Sequence, residues 1–353
     1  MTMLPNNTRH HLPLYRMMQL IRRTEEMLID EYHPADEMKC PIHFCVGQEA
    51  TPAALAQLMR PTDVVMTHHR SHGYYLAKNA PLNEMVAEFY GKVTGSNGGL
   101  AGSQELSHEG ARFYSGTILS GMFAMANGSA FAQQYAGSSD FTVAVIGDGG
   151  MEEGIVFEAL NLAAVFNLPI LFICENNLYS AHSRIGVRSL SDNLVGRAKS
   201  FEVDAKIVDG NDPILLHQEL SRIVADRRAG KGPFFLEVLT YRYCGHVGPE
   251  NDDVLGYRTP EELEKWKRRD PVSGLREAII AGDVPEADVL QVEREIDAHV
   301  KAAIASAKVA SFPSYDKALQ LNWSGSYSPA VSGFASASTA FDGRQDETKL
   351  KPY

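Results

Sequence analysis

The stretch FTVAVIGDGGMEEGIVFEALNLAAVFNLPILFICENN, residues 141–177, decides how this chain folds. FTVAVIG (141–147) and PILFICE (169–175) are short, apolar and free of polar alternation, which predicts strands buried on both faces. EEGIVFEALNLAAVF (152–166), between them, has helical spacing. Strand, helix and strand in this order make a βαβ unit, so the two strands run parallel in one sheet covered by helices. DAKIVDG (204–210), DPILLHQELSRIVADRRAG (212–230) and PFFLEVLTYR (233–242) repeat the pattern. The predicted fold class is α/β, with a doubly wound, mostly parallel sheet.

Outward from this centre, helical spacing runs from about Tyr15 to His33, where Met17, Leu20, Ile21, Met27 and Leu28 form an apolar stripe. A second helix is expected after GQEA (47–50). EELEKWKRR (261–269) and EADVLQVEREIDAHVKAAIASAKVA (286–310) predict a C-terminal helical portion. Residues 1–323 are expected to form one domain. From Ser324 the small-residue tract SGSYSPAVSGFASASTAF lacks the apolar area that would offset its ordering entropy, so 324–353 is expected to be a flexible tail.

The composition, 44% hydrophobic and 22% charged over 353 residues, is that of an ordinary globular protein. A net charge of −11 opposes any sequence-independent grip on nucleic acid or anionic lipid. Cys40, Cys45, Cys174 and Cys244 form no CxxC pair, so buried thiols in a reducing compartment are expected rather than disulfides or zinc ligands. No apolar run approaches the roughly 18 residues of a membrane span, and the first residues carry no apolar signal segment. A soluble, cytoplasmic protein is expected.

Asp148 and Asn177 lie at the carboxyl ends of two predicted parallel strands, where open α/β sheets bind their ligands. The glycines of GDGG let backbone approach a phosphate closely, and the following helix N-terminus favours an anion. Asp148 alone would repel a diphosphate. A Mg²⁺ ion between them removes the conflict, because it takes oxygen ligands from a carboxylate, an amide such as that of Asn177, and phosphates. GDGG is not GxGxxG and no GK[ST] follows, which argues against dinucleotide and P-loop sites. In a simpler reading, Asp148 caps a helix and Asn176 and Asn177 turn a loop.

With HFCVGQEA (43–50), THHRSHG (67–73), GSQELSHEG (102–110), ENNLYS (175–180), VDGNDP (208–213) and TYRYCGH (240–246), the GDG-to-NN stretch is similar to the thiamine-diphosphate signature. From about Tyr15 to Pro313 the chain resembles the α subunit of E1 components of 2-oxoacid dehydrogenase complexes. The resemblance implies a thiamine-diphosphate-binding fold of the diphosphate-binding type. It also implies Mg²⁺ held by Asp148, Asn177 and the backbone oxygen of Tyr179, with Gly149 and Gly150 near the diphosphate and Arg70 on a phosphate. His69 stands where the family more often has Tyr, and Thr117 where it often has Gly. Leu119 matches the residue that supports the bent cofactor. His246 matches the histidine over the reacting centre and His43 one that contacts the 2-oxo acid, while His72 and His108 are further catalytic candidates.

The implied activity is decarboxylation of a small 2-oxo acid with transfer of the acyl group to lipoamide on an E2 acyltransferase. The glutamate that activates the aminopyrimidine belongs to the family's β subunit, so the resemblance implies an α₂β₂ heterotetramer with E1 β. HVGPENDDVLGYR (246–258) contains no serine, so no phosphoserine switch is expected there. His69, Thr117 and QELSHEG leave open a rival chemistry with the same cofactor, either acyloin cleavage or formation or a transketolase-like transfer. A non-catalytic scaffold is a third reading, opposed by the intact Asp148, Asn177, Arg70 and His246.

Overall fold

In chain order the strands are β1 (Val64–Thr67), β2 (Ser107–His108), β3 (Phe113–Ser115), β4 (Thr142–Gly147), β5 (Ile170–Asn176), β6 (Tyr179–Ser180), β7 (Ser183–Arg184), β8 (Asp204–Asp209) and β9 (Phe234–Leu239). They are seen in a computed structural model that describes residues 8–32, 37–252 and 255–321. Seven strands make one sheet in the order β2-β3-β1-β4-β5-β9-β8. Pairing is parallel except between the short β2 and β3, and β6 and β7 form a separate ribbon.

The helices of the large unit, Met1–Phe312, are α1 (Leu12–Tyr32), α2 (Ala50–Ala56), α3 (His72–Ala77), α4 (Leu82–Phe89), α5 (Gly121–Tyr135) and α6 (Gly154–Phe166), followed by α7 (Ile185–Arg188), α8 (Leu194–Lys199), α9 (Pro213–Arg228), α10 (Pro260–Lys267), α11 (Pro271–Ala281) and α12 (Glu286–Val309). A small unit begins at Pro313, and its described part is one helix, Tyr315–Leu321. The tail expected over 324–353 lies outside the described residues.

Successive strand residues feed two cores, because side chains alternate across a sheet. Val65, Val143, Val145, Leu171, Ile173 and Leu236 pack with α1–α4, α9, α11 and α12. Ala144, Ile146, Ile170, Phe172, Cys174 and Phe235 pack with α5, α6 and α8. Helices on both faces explain why β4 and β5 read as continuous apolar runs. The four cysteines are free thiols, three of them buried. Among the described residues no helix is long and apolar enough to cross a membrane.

The structure departs from the sequence reading just after β4. Asp148–Glu152 is a 3₁₀ turn, and α6 starts at Gly154 rather than near residue 152. Glycine weakens a helix interior, and Gly147, Gly149 and Gly150 fall together here. The Ser120 hydroxyl further fixes the turn by donating to the Gly150 carbonyl at 3.0 Å.

A single carboxylate shapes the loop that follows α4. Buried Glu88 accepts from the N–H groups of Asn97 (2.8 Å), Gly99 (2.8 Å), Ala101 (2.7 Å) and Gly102 (3.1 Å). The loop winds around it, and Gly99 has a left-handed φ of +79° with no room for a Cβ against the Gly91–Lys92 backbone. Glu88→Gln places an NH₂ group among donors and removes the charge that strengthens these bonds. It is expected to lower unfolding free energy by about 3 kcal/mol, as read by a shift of the denaturant midpoint at constant slope.

Candidate active site

The chain passes from β1 to β3 on one side and returns to β4 on the other, so a crevice opens between the carboxyl ends of β1 and β4. A pocket of about 320 Å³, within the ordinary size of small-molecule sites, lies there. His68, His69 and Arg70 follow β1, Thr117 and Leu119 follow β3, and Gly147–Gly150 follow β4. Asn177, Tyr179, Ser180 and Ala181 come after β5, His246 comes after β9, and His43 and Gln104 complete the lining.

Eleven residues singled out from the sequence thus share one pocket: His43, His69, Arg70, Thr117, Leu119, Asp148, Gly149, Gly150, Asn177, Tyr179 and His246. His72 and His108 are placed elsewhere. The His72 ring is fully buried between Glu25 (Nδ1, 2.7 Å) and Ser103 (Nε2, 2.7 Å), so both nitrogens are engaged in tying α3 to α1 and to the turn at Ser103. His108 Nδ1 accepts from the Ala111 N–H at 3.0 Å, and its Nε2 lies 3.5 Å from Glu84, in a different cavity. Neither imidazole reaches the pocket, so neither is retained as a catalytic candidate. His68, Gln104, Gly147, Ser180 and Ala181 were not singled out, although HHR and QEL bracketed the first two.

Arg70 is 4% exposed, and its guanidinium donates to the Phe44 carbonyl and, at 3.2 Å, to the His246 carbonyl. Among the described residues it has no carboxylate partner. Burial, with the nearby Arg242 charge, lowers its pKa to about 10, which still leaves it cationic at neutral pH. A buried cation without a counter-ion is costly, and an anion in the pocket would relieve it.

Asp148 is 1% exposed, and burial raises its pKa against the opposing pull of Arg188. The Arg188 guanidinium pairs with its Oδ2 and also reaches Glu152 at 2.6 Å. A cation therefore already stands at this carboxylate. Asn177 Oδ1 accepts from the Tyr179 N–H at 3.2 Å, while Nδ2 donates to Gln48 Oε1 at 3.3 Å. Gln48 is in turn 3.4 Å from Glu175, whose other oxygen accepts from the Tyr74 hydroxyl at 2.8 Å. Asn176 points away and donates to Glu237 at 2.8 Å. A Cβ at Gly149 would strike Ser180 and one at Gly150 would strike Ile146, so both glycines are required by close packing as well as by the turn.

His246 sits on a loop fixed by Asp252, which accepts its backbone N–H at 2.8 Å and the Tyr257 hydroxyl at 2.8 Å. Arg258 ties the same loop to the carbonyls of Arg242 (2.8 Å), Cys244 (3.0 Å) and Asn251 (2.7 Å). Burial and then the Arg70 charge lower the pKa of His43 to about 2 and that of His246 to about 4. Burial, followed by His68 and Arg70, drives His69 strongly downward as well. All three imidazoles are neutral near pH 7.

A family model described as dehydrogenase E1 component matches residues 16–315. The pyruvate dehydrogenase E1 component subunit alpha of Zymomonas mobilis is 33% identical over 314 residues, covering 88% of this chain and 87% of its own. The subunit of the same name from Rickettsia bellii is 29% identical over 309 residues, covering 87% of this chain and 94% of its own. The somatic mitochondrial form from Homo sapiens is 32% identical over 298 residues, covering 84% and 74%. The chain belongs to the dehydrogenase E1 component family, among the α subunits of thiamine-diphosphate-dependent 2-oxo acid dehydrogenases.

The depressed histidine pKa values make stability depend on pH. An unfolded chain protonates His43 and His246 near 6.5, whereas the folded chain holds His246 neutral to about 4 and His43 lower still. Below 6.5 the unfolded state binds more protons, so stability present above 6.5 is lost as pH falls from 6.5 toward 4. Melting temperature measured across that interval should fall less steeply in His43→Asn and His246→Asn than in the parent. An unchanged slope would show that these rings do not carry the dependence.

Proposed function

We propose that this chain is the α half of a pyruvate-directed E1 enzyme, joined to E1 β as an α₂β₂ heterotetramer that delivers an acyl group to the lipoyl group of an E2 acyltransferase. The substrate follows from the names of the relatives. The observation that carries the placement of the cofactor is Arg70: a buried, unpaired guanidinium facing the same pocket as Asp148. A diphosphate with Mg²⁺ satisfies both, since the phosphate neutralises Arg70 and the cation takes over from Arg188 at Asp148. Asp148 carboxylate, Asn177 amide and Tyr179 carbonyl are the hard oxygen donors that Mg²⁺ prefers. The donor set therefore fits the metal.

Thiamine diphosphate, once bound, supplies the nucleophilic carbon and the electron sink for decarboxylation. The residues of this chain do the rest of what falls on this side of the interface. Arg70 anchors a phosphate, Gly149 and Gly150 keep the backbone low, and Leu119 and Thr117 border the space next to the reacting end. His43, His69 and His246 line the same pocket, where neutral imidazoles donate or accept a hydrogen bond to a 2-oxo acid without adding charge. The helices α5 and α6 expose Met125, Phe131, Tyr135, Leu162, Val165 and Phe166, and an apolar face of this kind favours a partner subunit.

Two measurements test the proposal. The chain co-purified with its β partner should turn over pyruvate, tested among a panel of 2-oxo acids with an artificial electron acceptor. Turnover should require added thiamine diphosphate and Mg²⁺ and should fail in Asp148→Ala; activity that survives in Asp148→Ala overturns the metal assignment. Arg70→Met should weaken thiamine diphosphate by about 10- to 100-fold in calorimetric titration, the equivalent of a charge-assisted bond of about 1.5–3 kcal/mol. The substitution also removes the donor to the Phe44 and His246 carbonyls, so the ligand-free melting temperature is measured beside it to separate that structural cost from the lost phosphate contact.

A further inference from the structure

The three pocket histidines converge on one another as well as on the cofactor space. Ligand nitrogens of His43, His69 and His246 all lie within 4.8 Å of one another. Their ring centroids are separated by 4.4 Å (His43–His69), 5.0 Å (His43–His246) and 5.6 Å (His69–His246), each pair edge-on. The geometry points to a transition-metal site: His43, His69 and His246 form a three-imidazole cradle for Zn²⁺ or a like dication, separate from the oxygen donors around Asp148.

Donor chemistry separates the two sites. Imidazole suits Zn²⁺, Cu²⁺ and Ni²⁺, whereas carboxylate and carbonyl oxygens suit Mg²⁺. Three histidines leave a fourth tetrahedral position, which here opens into the pocket. Bonds of about 2.0–2.1 Å put donor nitrogens roughly 3.3 Å apart, so the rings need to turn inward by about 1.5 Å. Rotation of the side chains supplies this movement, since the backbone of the His246 loop is held by Asp252 and Arg258. Since the rings are neutral near pH 7, metal entry displaces no protons from them. His43 also has an outer partner: the Gln104 amide nitrogen lies 3.2 Å from Nδ1, and metal at Nε2 requires this amide to turn over so that its oxygen accepts from Nδ1–H. Arg70 opposes a bare dication, so the fourth ligand is expected to be an anion such as hydroxide or a carboxylate. His69 is the deciding residue, because a Tyr there would leave two imidazoles.

On the reading proposed above, a metal on these rings stands where the 2-oxo acid must lie and excludes it. The site is therefore inhibitory, and that consequence rests on the proposed function; metal binding itself does not.

Co²⁺ added to the full chain without thiamine diphosphate tests the site. The expected result is one equivalent bound with the intense visible bands of tetrahedral Co²⁺, displaced by Zn²⁺. His69→Tyr and His69→Asn should both lose the tetrahedral spectrum while keeping the parent's circular dichroism, Gln104→Ala should weaken binding by about 10- to 100-fold, and Asp148→Asn should leave it intact. Binding that is lost in Asp148→Asn but kept in both His69 variants, or a parent spectrum without tetrahedral bands, overturns the proposal. In the assembled enzyme, Zn²⁺ should inhibit competitively with the 2-oxo acid, reversed by chelation. Tetrahedral Co²⁺ binding in an enzyme that turns over no 2-oxo acid would overturn the functional reading and leave the metal site standing.

Discussion

The parallel register of β4 and β5 is the constraint on which the site depends. The two strands pair from Thr142 with Ile170 to Gly147 with Glu175, so their carboxyl ends are level. Both are buried on both faces, and each supplies side chains to two separate cores. A one-residue slip would exchange the two sets of side chains and move Asp148 relative to Asn177. Apolar packing several residues away thereby fixes where the polar groups emerge.

Charge within the pocket is asymmetric. Arg70 is buried and unpaired, whereas Asp148 is buried and already shares Arg188 with Glu152. The Arg70 field reinforces desolvation in keeping His43 and His246 neutral. The site thus offers a fixed positive charge, a satisfied negative one and uncharged rings. An anion entering first gains from Arg70 at once, and a cation at Asp148 must displace an existing ion pair.

The strands and helices with strong periodicity were legible in the sequence: β4, β5, β8, β9, α1, α9 and α12 lie within a few residues of their predicted ranges. α5 was not, because GMFAMANGSAFAQQY carries no charged face to set against an apolar one. β1 is only four residues long and β3 only three, too short for a period to register. Eleven of the residues that motif order singles out line one pocket, but that order could not separate His43 and His246 from His72 and His108. That distinction depends on which neighbours fold over each ring, as Glu25 and Ser103 do for His72. Gln104 escaped notice for the same reason, since its contact with His43 joins residues 61 positions apart.

The apolar exposure on α5 and α6 bears on how the protein is made as well as on what it binds. Tyr135 is 88% exposed and Val165 69%, with Phe131 and Phe166 edge-on beside them. An α chain synthesised in excess of its partner keeps this face in water, and surfaces of this kind drive self-association and recognition by quality-control machinery. The abundance of assembled enzyme is then set by the scarcer subunit. On the heterotetramer proposed above, raising the dosage of the α gene alone is expected to add surplus chain for degradation and no assembled enzyme.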